Sequence, residues 1–404
     1  MMKEIIIPKK RISSIDALRG FALLGILMFH CMEGFDLFII RELNSPFWQT
    51  IDSVVFESMA FLFAGKAYAI FSLLFGLSFF MQMDSQADKG YDFRWRFLWR
   101  LTLLLILGYL NSIIYMGEFF VVYAILGITL IPVYKVSTKW LIPLIILLFL
   151  QIPDIYTFIS ALNGGAEAAP PLVLYMDGLY EEAGDVFMYG SFSDVLKFNL
   201  WKGLLAKLLW VINNARFPQL IGLFIAGMLI GRAEIHKDEE KIVKYSKKAL
   251  PYGIAVFALF YAIVLLLPNM GVEGFALKAG TTLFKTYSNL GMMLMYVSGF
   301  MLLYYKTNSD KILDKIAPVG RMSVTNYMVQ GFIGVPLFYG FGLSLAVELT
   351  FLQSFFVGII IYAAQVVFSN WWIKRYYYGP IEWLWRVANL LKPVPFKRSK
   401  DSHH

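Results

Sequence analysis

Long apolar runs alternate with short polar connections along the 404-residue chain. A helix needs about 20 mostly apolar residues to cross the hydrocarbon core of a bilayer, and the runs reach that length. The pattern predicts an all-α polytopic membrane protein in which residues 1–404 form a single membrane domain. Its ten predicted transmembrane helices cover residues 16–32, 54–83, 97–115, 119–134, 139–158, 216–232, 249–268, 281–304, 322–340 and 346–373.

Lysine and arginine are distributed unequally between the predicted connections. Most of the 36 basic residues fall on the side that holds both termini. They include the run from Arg232 to Lys248 and the tail from Lys374 to Lys400. Cytoplasmic loops carry such an excess of positive charge. We therefore predict that both termini are cytoplasmic and that the chain is a multi-pass protein of a bacterial-type plasma membrane.

The longest predicted connection, residues 159–215, is expected on the extracytoplasmic side. Its stretch from residue 163 to 195 is acidic and has no lysine or arginine. The following segment, SDVLKFNLWKGLLAKLLW, places lysines between apolar positions at helical spacing, and Ser193 is a favourable N-cap residue. We predict an amphipathic helix that lies in the headgroup plane.

The tail, residues 376–404, carries a second amphipathic pattern in GPIEWLWRVANLLK. Glu382 and Arg386 are four residues apart, which is the spacing of an ion pair on a helix. Tryptophan is enriched at membrane surfaces. We predict a cytoplasmic interfacial tail.

Composition narrows the class of protein further. The chain is 58% hydrophobic and 16% charged, with a mean hydropathy of +0.62, whereas soluble domains are about 25% charged. The single cysteine excludes an internal disulfide and a cysteine-built metal site, and we predict no metal. The expected partner is the lipid bilayer rather than nucleic acid, and the sequence leaves the oligomeric state open. His403 and His404 resemble a purification tag and carry no functional argument.

Charged residues inside apolar helices need a reason, because each costs at least about 2.5–3.5 kcal/mol. The first helix contains Asp16, Arg19 and His30. Asp16 and Arg19 are three residues apart, as in an ion pair at a helix end. Arg19 and His30 are eleven residues apart, so they share one face at a separation of roughly 16 Å. His30 is either bonded to a neighbouring helix or placed to act as a general base near neutral pH.

Polar positions in the other helices predict a cavity. Lys66 lies within the second helix, or at its outer end if the helix breaks at Gly65, and Glu57 or Glu118 is its expected ion-pair partner. Plain hydrogen bonding between helices is the alternative reading of such polar stripes. The predicted cavity residues are Asp16, Glu118, Lys285, Asn289, Ser323, Asn326 and Gln330.

Four arginines on the predicted cytoplasmic side form a candidate donor site: Arg94, Arg96, Arg100 and Arg321. The first three belong to RWRFLWR, where aromatic residues separate them. Guanidinium groups suit phosphates and aromatic rings stack on purines, although simple anchoring by positive charge explains the same pattern.

Several segments resemble the YeiB-like family, which is built on domain of unknown function 418. The matching stretches are RISSIDALRGFALLGIL, GKAYAIFSLLFGLSF, GEFFVVYAILG, GRMSVTNYMVQGFIGVPLFYGFGL and GPIEWLWR, in the expected order. An arginine, ten residues and a histidine in the first helix are similar to the signature of acyltransferase-3 membrane proteins. Arg19 and His30 fall on those positions. GRMSVTNYMVQ is similar to a late helix of that superfamily, with Gln330 where histidine often stands.

The wider resemblance implies a membrane acyltransferase. It implies an acyl-CoA donor entering from the cytoplasm and an extracytoplasmic small-molecule, glycan or lipid acceptor. His30 would deprotonate the acceptor while Arg19 contacts the donor, and Lys66 or Asn326 would stabilise the oxyanion. Cys31 offers an acyl-enzyme route instead. Two further hypotheses are a transporter or flippase for a small amphipathic solute, with His30 as proton relay, and a non-catalytic membrane partner.

Overall fold

The computed structural model describes residues 12–37, 39, 41, 43–87, 92–164, 170–307 and 309–398. The predicted basic start, part of the acidic outer stretch and the terminal histidines therefore lie outside the described residues. The described part is helical apart from one isolated antiparallel bridge between Tyr376 and Lys397, which confirms the predicted all-α class.

The helices are numbered in chain order. The first ten are α1 (Ser13–Met32), α2 (Pro46–Phe63), α3 (Ala67–Ala87), α4 (Arg94–Ser112), α5 (Phe120–Gly127), α6 (Leu130–Val133), α7 (Thr138–Phe149), α8 (Ile152–Gly164), α9 (Pro171–Tyr189) and α10 (Phe192–Phe198). The others are α11 (Leu204–Asn213), α12 (Arg216–Arg232), α13 (Glu239–Leu266), α14 (Gly274–Lys306), α15 (Asp310–Leu313), α16 (Ala317–Arg321), α17 (Ser323–Phe338), α18 (Leu345–Glu348), α19 (Phe351–Ile373) and α20 (Pro380–Leu390).

Five helical segments of the described chain are long and apolar enough to cross a membrane. They are Ser13–Met32, Pro46–Gln86, Thr138–Gly164, Glu239–Leu266 and Phe351–Ile373. Each offers at least 20 residues at about 1.5 Å of rise per residue, close to the thickness of a bilayer core. Length and composition thus indicate a membrane protein.

Helix α1 occupies the centre of the molecule. It packs against α3, α16 and α19 and contacts α17, while α13 and α14 form a long antiparallel pair beside them. Small residues permit the closest approaches: a Cβ atom at Gly76 of α3 would collide with the backbone of α12, and one at Gly227 of α12 would collide with that of α3. Helices in membranes associate through such small-residue contacts.

The predicted second helix is broken at Gly65, which has a φ of +79°. Asp52 of α2 accepts hydrogen bonds from the first backbone N–H groups of α19, and Phe63 at the other end of α2 packs against Phe21 of α1. Helix α3 then continues past α1, because Arg19 bonds to Ser78 at 2.7 Å. Helices α2 and α3 therefore run in the same sense as one discontinuous helix.

Two other predicted helices are also interrupted. The predicted helix 119–134 divides into α5 and α6. The predicted helix 139–158 divides into α7 and α8 at Gln151, whose φ of +51° lies in the left-handed region. A residue in that conformation ends the regular hydrogen-bond ladder of a right-handed helix.

The outer connection is folded rather than extended, and it corrects two predictions. Ser191, not Ser193, is the N-cap of α10, and it forms a reciprocal capping box with Asp194. A π-helical segment, Asn199–Gly203, joins α10 to α11, and both pack against α9. The lysines do not share one solvated face, because Lys207 is buried.

The tail helix α20 does not have the predicted intrahelical ion pair. Glu382 instead accepts hydrogen bonds from the backbone N–H groups of Val324 and Thr325 at 2.8 and 3.0 Å, at the start of α17. Arg386 lies over the ring of Tyr378 at 4.8 Å from its centroid. The reason is that α20 packs against α4 and α17, so its carboxylate serves as an N-terminal cap for another helix.

Candidate functional site

A cavity of about 920 Å³ extends along α1 and reaches α3, α4, α11, α12, α14, α17 and α20. We call the end beside the N-terminal half of α1 the inner end, and the end beside Glu33 the outer end. Gln82 and Trp385 line the inner end, whereas Asn214 and Lys278 line the outer end. Most of the wall between them is aromatic and aliphatic.

Arg19 and His30 both line this cavity, as their shared helical face predicts. Arg19 pairs with Asp16 at 2.6 Å, which confirms the predicted ion pair, and it also donates to Ser78. The eleven-residue separation places the imidazole roughly 16 Å further along the helix axis than the guanidinium. Cys31 is fully buried on another face and is absent from the cavity wall, so an acyl-enzyme on Cys31 has no access to the cavity.

His30 is held by two neighbours at the outer end. The Tyr115 hydroxyl lies 2.8 Å from Nδ1, and a Glu33 carboxylate oxygen lies 3.4 Å from the same nitrogen. The Tyr115 ring meets the imidazole edge-on, at 5.3 Å between centroids. A histidine that is oriented by a hydroxyl and a carboxylate and faces a cavity has the arrangement of a general base.

The turn after α1 has an uncommon backbone. Gly34, Phe35 and Asp36 have φ values of +60°, +56° and +75°, and left-handed conformations are costly for residues with a Cβ atom. Phe35 is fully buried against Tyr115, and Asp36 lines the cavity. Strained backbone of this kind concentrates at functional sites.

Lys207 of α11 also reaches the cavity, although it is only 8% exposed. Its ammonium lies 4.2 Å from the ring centroid of Phe119 and 5.0 Å from that of Trp210, in cation–π geometry. It attracts the carboxylates of Glu33 and Asp36. The outer end therefore combines a histidine, two acids and a buried cation.

The inner end contains three arginines and one carboxylate. Arg19, Arg100 and Arg321 line the cavity, and we call them the inner arginines. The guanidinium of Arg100 lies 4.4 Å from the ring centroid of Trp385. Burial raises the pKa of the Glu382 carboxyl, although its hydrogen bonds to the start of α17 oppose the shift.

Arg94 and Arg96 do not line the cavity, so the predicted cluster with Arg100 does not converge there. Arg94 instead pairs with Asp92 at 2.6 Å, outside the predicted helices, and holds the pKa of that carboxyl at about 2. Arg96 is exposed. The physical reason is helical geometry: Arg94 and Arg96 begin α4 beyond the packed part of the helix, whereas Arg100 lies against α20.

The predicted polar stripe of α17 lies mainly against another helix. Ser323 lines the cavity, but Asn326 and Gln330 are buried and absent from its wall. The Asn326 amide donates to the Val319 carbonyl and to Ser369 at 3.0 Å, and Gln330 donates to Gln365 at 2.9 Å. Because its N–H groups already donate to these partners, the geometry gives no support to the prediction that Asn326 stabilises an oxyanion.

Two other predicted cavity residues, and the predicted catalytic residue Lys66, also lie away from the cavity wall. Asp16 is buried in its ion pair with Arg19 and does not line the cavity. Glu118 is buried and accepts hydrogen bonds from Asn111 and the Phe120 backbone. Lys66 is 5% exposed and does not line the cavity, so its predicted oxyanion role has no geometric support. Neither Glu57 nor Glu118 forms an ion pair with it in the described chain.

The structure brings two predicted residues of the eighth helix together. Lys285 and Asn289 of α14 both line the cavity on one face. Lys278, Thr281 and Thr282 extend that face toward the outer end, at the three- and four-residue spacing of a helix.

Comparison with known sequences finds a family match in the second half of the chain. Residues 230–392 match the family described as "Protein of unknown function (DUF418)". The rest of the chain lies outside that match. The chain is 25% identical to the uncharacterized protein YxaH of Bacillus subtilis (strain 168), over 96% of each chain. It is also 25% identical to the uncharacterized protein YeiB of Escherichia coli (strain K12), over 95% of this chain and 97% of the other. No solved structure matches.

The DUF418 match covers only part of the cavity. It runs from the end of α12 through α20. It therefore includes the cavity face of α14, together with Arg321 and Trp385 at the inner end of the cavity. Arg19 and His30 lie outside it, on α1. The names of these relatives state no activity, so the resemblance to acyltransferase-3 proteins stays a prediction.

Sequence reasoning missed four functional candidates: Glu33, Asp36, Lys207 and Trp385. Glu33 is three residues after His30, and residues at that spacing are neighbours on a helix. The spacing could therefore have predicted their contact. Lys207 and Trp385 reach the cavity only because α11 and α20 fold against the bundle. The spacing of residues along the sequence does not predict that α11 and α20 pack against the bundle.

Proposed function

We propose that this protein is a membrane acyltransferase that moves an acyl group from a cytoplasmic acyl-CoA-type donor to an extracytoplasmic acceptor. The observation that supports the proposal is one cavity with guanidinium groups at its inner end and an oriented imidazole toward its outer end. A transferase needs both features in a single space, because donor and acceptor must meet at the base.

The proposal includes the membrane topology. Ten crossings with both termini in the cytoplasm of a bacterial-type plasma membrane place the inner end of the cavity toward the cytoplasm. The excess of basic residues in the connections that follow even-numbered predicted helices, and in the tail, supports this orientation. The acidic connection and helices α9 to α11 then cover the extracytoplasmic end.

The donor binds at the inner arginines. Their guanidinium groups suit phosphate oxygens, and Trp385 provides an aromatic surface beside Arg100. The apolar middle of the cavity, with residues such as Phe71 and Phe75, then surrounds the acyl arm. The roughly 16 Å between Arg19 and His30 is spanned by the extended pantetheine portion.

His30 carries the chemical step. Its Nε2 atom, 3.3 Å from the Tyr115 hydroxyl, takes the proton of the acceptor hydroxyl or amine as the acceptor oxygen or nitrogen attacks the thioester carbonyl. The carbonyl electrons move to oxygen and return as the carbon–sulfur bond breaks, and the imidazolium gives its proton to the leaving thiolate. Tyr115 and Glu33 orient the ring and stabilise its charged form.

The test replaces His30 with asparagine, which keeps polarity but removes the base. Labelled acetyl-CoA is supplied on the cytoplasmic side of proteoliposomes, and label in the envelope acceptor fraction is counted. We expect transfer to fall about 10²–10⁴-fold with unchanged thermal unfolding. Cys31→Ala, one residue away but outside the cavity, is the matched control and should transfer normally. Wild-type transfer by His30→Asn would remove His30 from the mechanism.

One observation favours a second candidate, a transporter or flippase. The helix that contributes α2 and α3 to the cavity wall is broken at Gly65, and discontinuous helices form the binding sites of many transporters. A transporter delivers its labelled solute chemically unchanged, whereas an acyltransferase forms a new ester or amide. Mass analysis of the translocated product therefore separates the two.

A further inference from the structure

The outer end of the cavity has a strongly basic wall. Lys278 and Lys285 lie two turns apart on α14, and Arg216 begins α12 beside them, donating to Thr286 at 3.0 Å. We call Arg216, Lys278 and Lys285 the outer cation cluster. It lies at the opposite end of the cavity from the inner arginines.

The negative charge near this cluster does not balance it. Asp177 lies 3.7 Å from Lys278, and Asp154 interacts with Arg216. Lys285 has neither an ion pair nor a side-chain hydrogen bond among the described residues, although it lines the cavity. One cation of the three is therefore without a local countercharge.

A second unbalanced cation lies directly behind the wall. Lys66 is 5% exposed, and its ammonium lies 5.6 Å from the ring centroid of Phe61 with no carboxylate paired to it in the described chain. Its charge repels that of Lys285. A buried charge without a partner is strongly destabilising, so the buried Lys66 behind the exposed Lys285 favours a bound anion.

The neighbouring polar groups suit an oxyanion. Thr281, Thr282 and Asn289 line the cavity on the same face of α14 and offer hydroxyl and amide donors. Ammonium and guanidinium groups bind phosphate through charge-assisted hydrogen bonds. The adjacent wall is apolar, which suits an amphiphile better than a free inorganic ion.

The cluster lies at about the depth of His30. A Cβ atom at Gly25 would meet Ala67, and one at Gly65 would collide with Asn289, so these residues of α1 and α14 share one level. His30 lies five residues beyond Gly25, and Lys285 lies four residues from Asn289 in the same direction. At 1.5 Å per residue both are roughly 6–8 Å further toward the outer end.

We infer that the outer cation cluster binds the phosphate of an amphiphilic phosphate ester. Its assignment as the acyl acceptor rests on the proposed function. The anion site itself rests only on the cluster and its unbalanced lysines. The phosphate on α14 would then hold the acceptor across the cavity from His30, with its nucleophile at the imidazole.

The experiment measures phosphate binding directly. The full-length protein is placed in phosphatidylcholine nanodiscs, and two probes are titrated: phosphatidylglycerol within the disc and glycerol 1-phosphate in solution. Lys285→Gln should bind the phosphate probe at least about tenfold more weakly, and Lys285→Arg should bind as wild type. Lys306→Gln, at the exposed other end of α14, is the matched control and should be unchanged.

The two probes identify the source of the phosphate. Binding of phosphatidylglycerol alone assigns a lipid headgroup, and binding of glycerol 1-phosphate assigns a soluble ester. Equal binding by wild type and Lys285→Gln, or binding of neither probe, overturns the anion site. His30→Asn should keep wild-type phosphate binding while it loses acyl transfer. Wild-type acyl transfer by His30→Asn would contradict the proposed function and leave the anion site intact.

Discussion

Two helices carry polar residues at similar spacing, but those residues have different surroundings. On α17, Asn326 and Gln330 are buried against α19 and bonded to it. On α14, Lys285 and Asn289 face the cavity. We call the first pair the interface stripe and the second the cavity stripe.

The two stripes differ because only the interface stripe faces a helix with matching polar side chains. Helix α19 carries Gln365 and Ser369, four residues apart, so it presents a matching stripe of amide and hydroxyl groups. No helix of the described chain presents a carboxylate to Lys285. A polar stripe with a complementary stripe forms an interface, whereas a stripe without one lines a water-accessible space.

The largest expected effect tests how the cavity stripe is positioned. Gly65→Ala should destabilise the protein by about 2–4 kcal/mol. The left-handed backbone costs roughly 1–2 kcal/mol for a residue with a Cβ atom, and the collision with Asn289 adds about 1–3 kcal/mol. Thermal unfolding in detergent measures the loss. Adding Asn289→Ala should restore the collision part only, and wild-type stability of the single variant would contradict the break at Gly65.

The same substitution made on each stripe tests the comparison itself. Asn326→Leu should cost about 1–3 kcal/mol, because it leaves the Val319 carbonyl and Ser369 without a donor. Asn289→Leu should stay within about 0.5 kcal/mol, because the Asn289 amide makes no hydrogen bond among the described residues. Chemical denaturation of both variants decides the matter. Equal losses would mean that the two stripes do not differ in kind.

The third prediction applies the same distinction to the inner end. Arg100 lines the cavity and Arg94 does not, although both belong to RWRFLWR. Arg100→Gln should weaken acetyl-CoA binding about tenfold, which corresponds to about 1.4 kcal/mol. Arg94→Gln should leave it unchanged. Calorimetric titration of the purified variants measures both, and a matching loss in Arg94→Gln would restore the three-arginine cluster predicted from the sequence.

The smallest effect concerns the pH dependence of stability at Glu382. Burial raises the pKa of this carboxyl above its unfolded value of about 4.3. The proton therefore stabilises the folded protein fully below about pH 4.3, and this contribution is lost as the pH rises through the folded-state pKa. Glu382→Gln should lack this dependence. Parallel stability curves for both proteins across that range would show that Glu382 does not titrate there.

The sequence was sufficient for features set by neighbours on one helix. The ion pair of Asp16 and Arg19, the shared face of Arg19 and His30, and the face of α14 follow from helical spacing alone. The all-α class follows from the length of the apolar runs. These predictions need no knowledge of how the helices pack.

The sequence was insufficient where a residue depends on a distant element. Asn326 faces α19 rather than the cavity because of a partner 43 residues away in the chain. Lys207 is buried because α11 folds back over the bundle, and Glu382 caps α17 because α20 packs there. Amphipathic spacing alone assigns both residues to a solvated face, since it carries no information about these contacts.

Hydrogen bonds join the last described segment of the chain to a helix that lines the cavity. Arg398 donates to the Arg375 carbonyl at 2.9 Å, and the Trp383 indole donates to the Val394 carbonyl at 3.0 Å, so the final segment is tied to the end of α19 and to the first turn of α20. Helix α20 places Trp385 and Glu382 at the inner end. A truncation before residue 380 therefore removes Glu382 and Trp385 from the wall of the cavity.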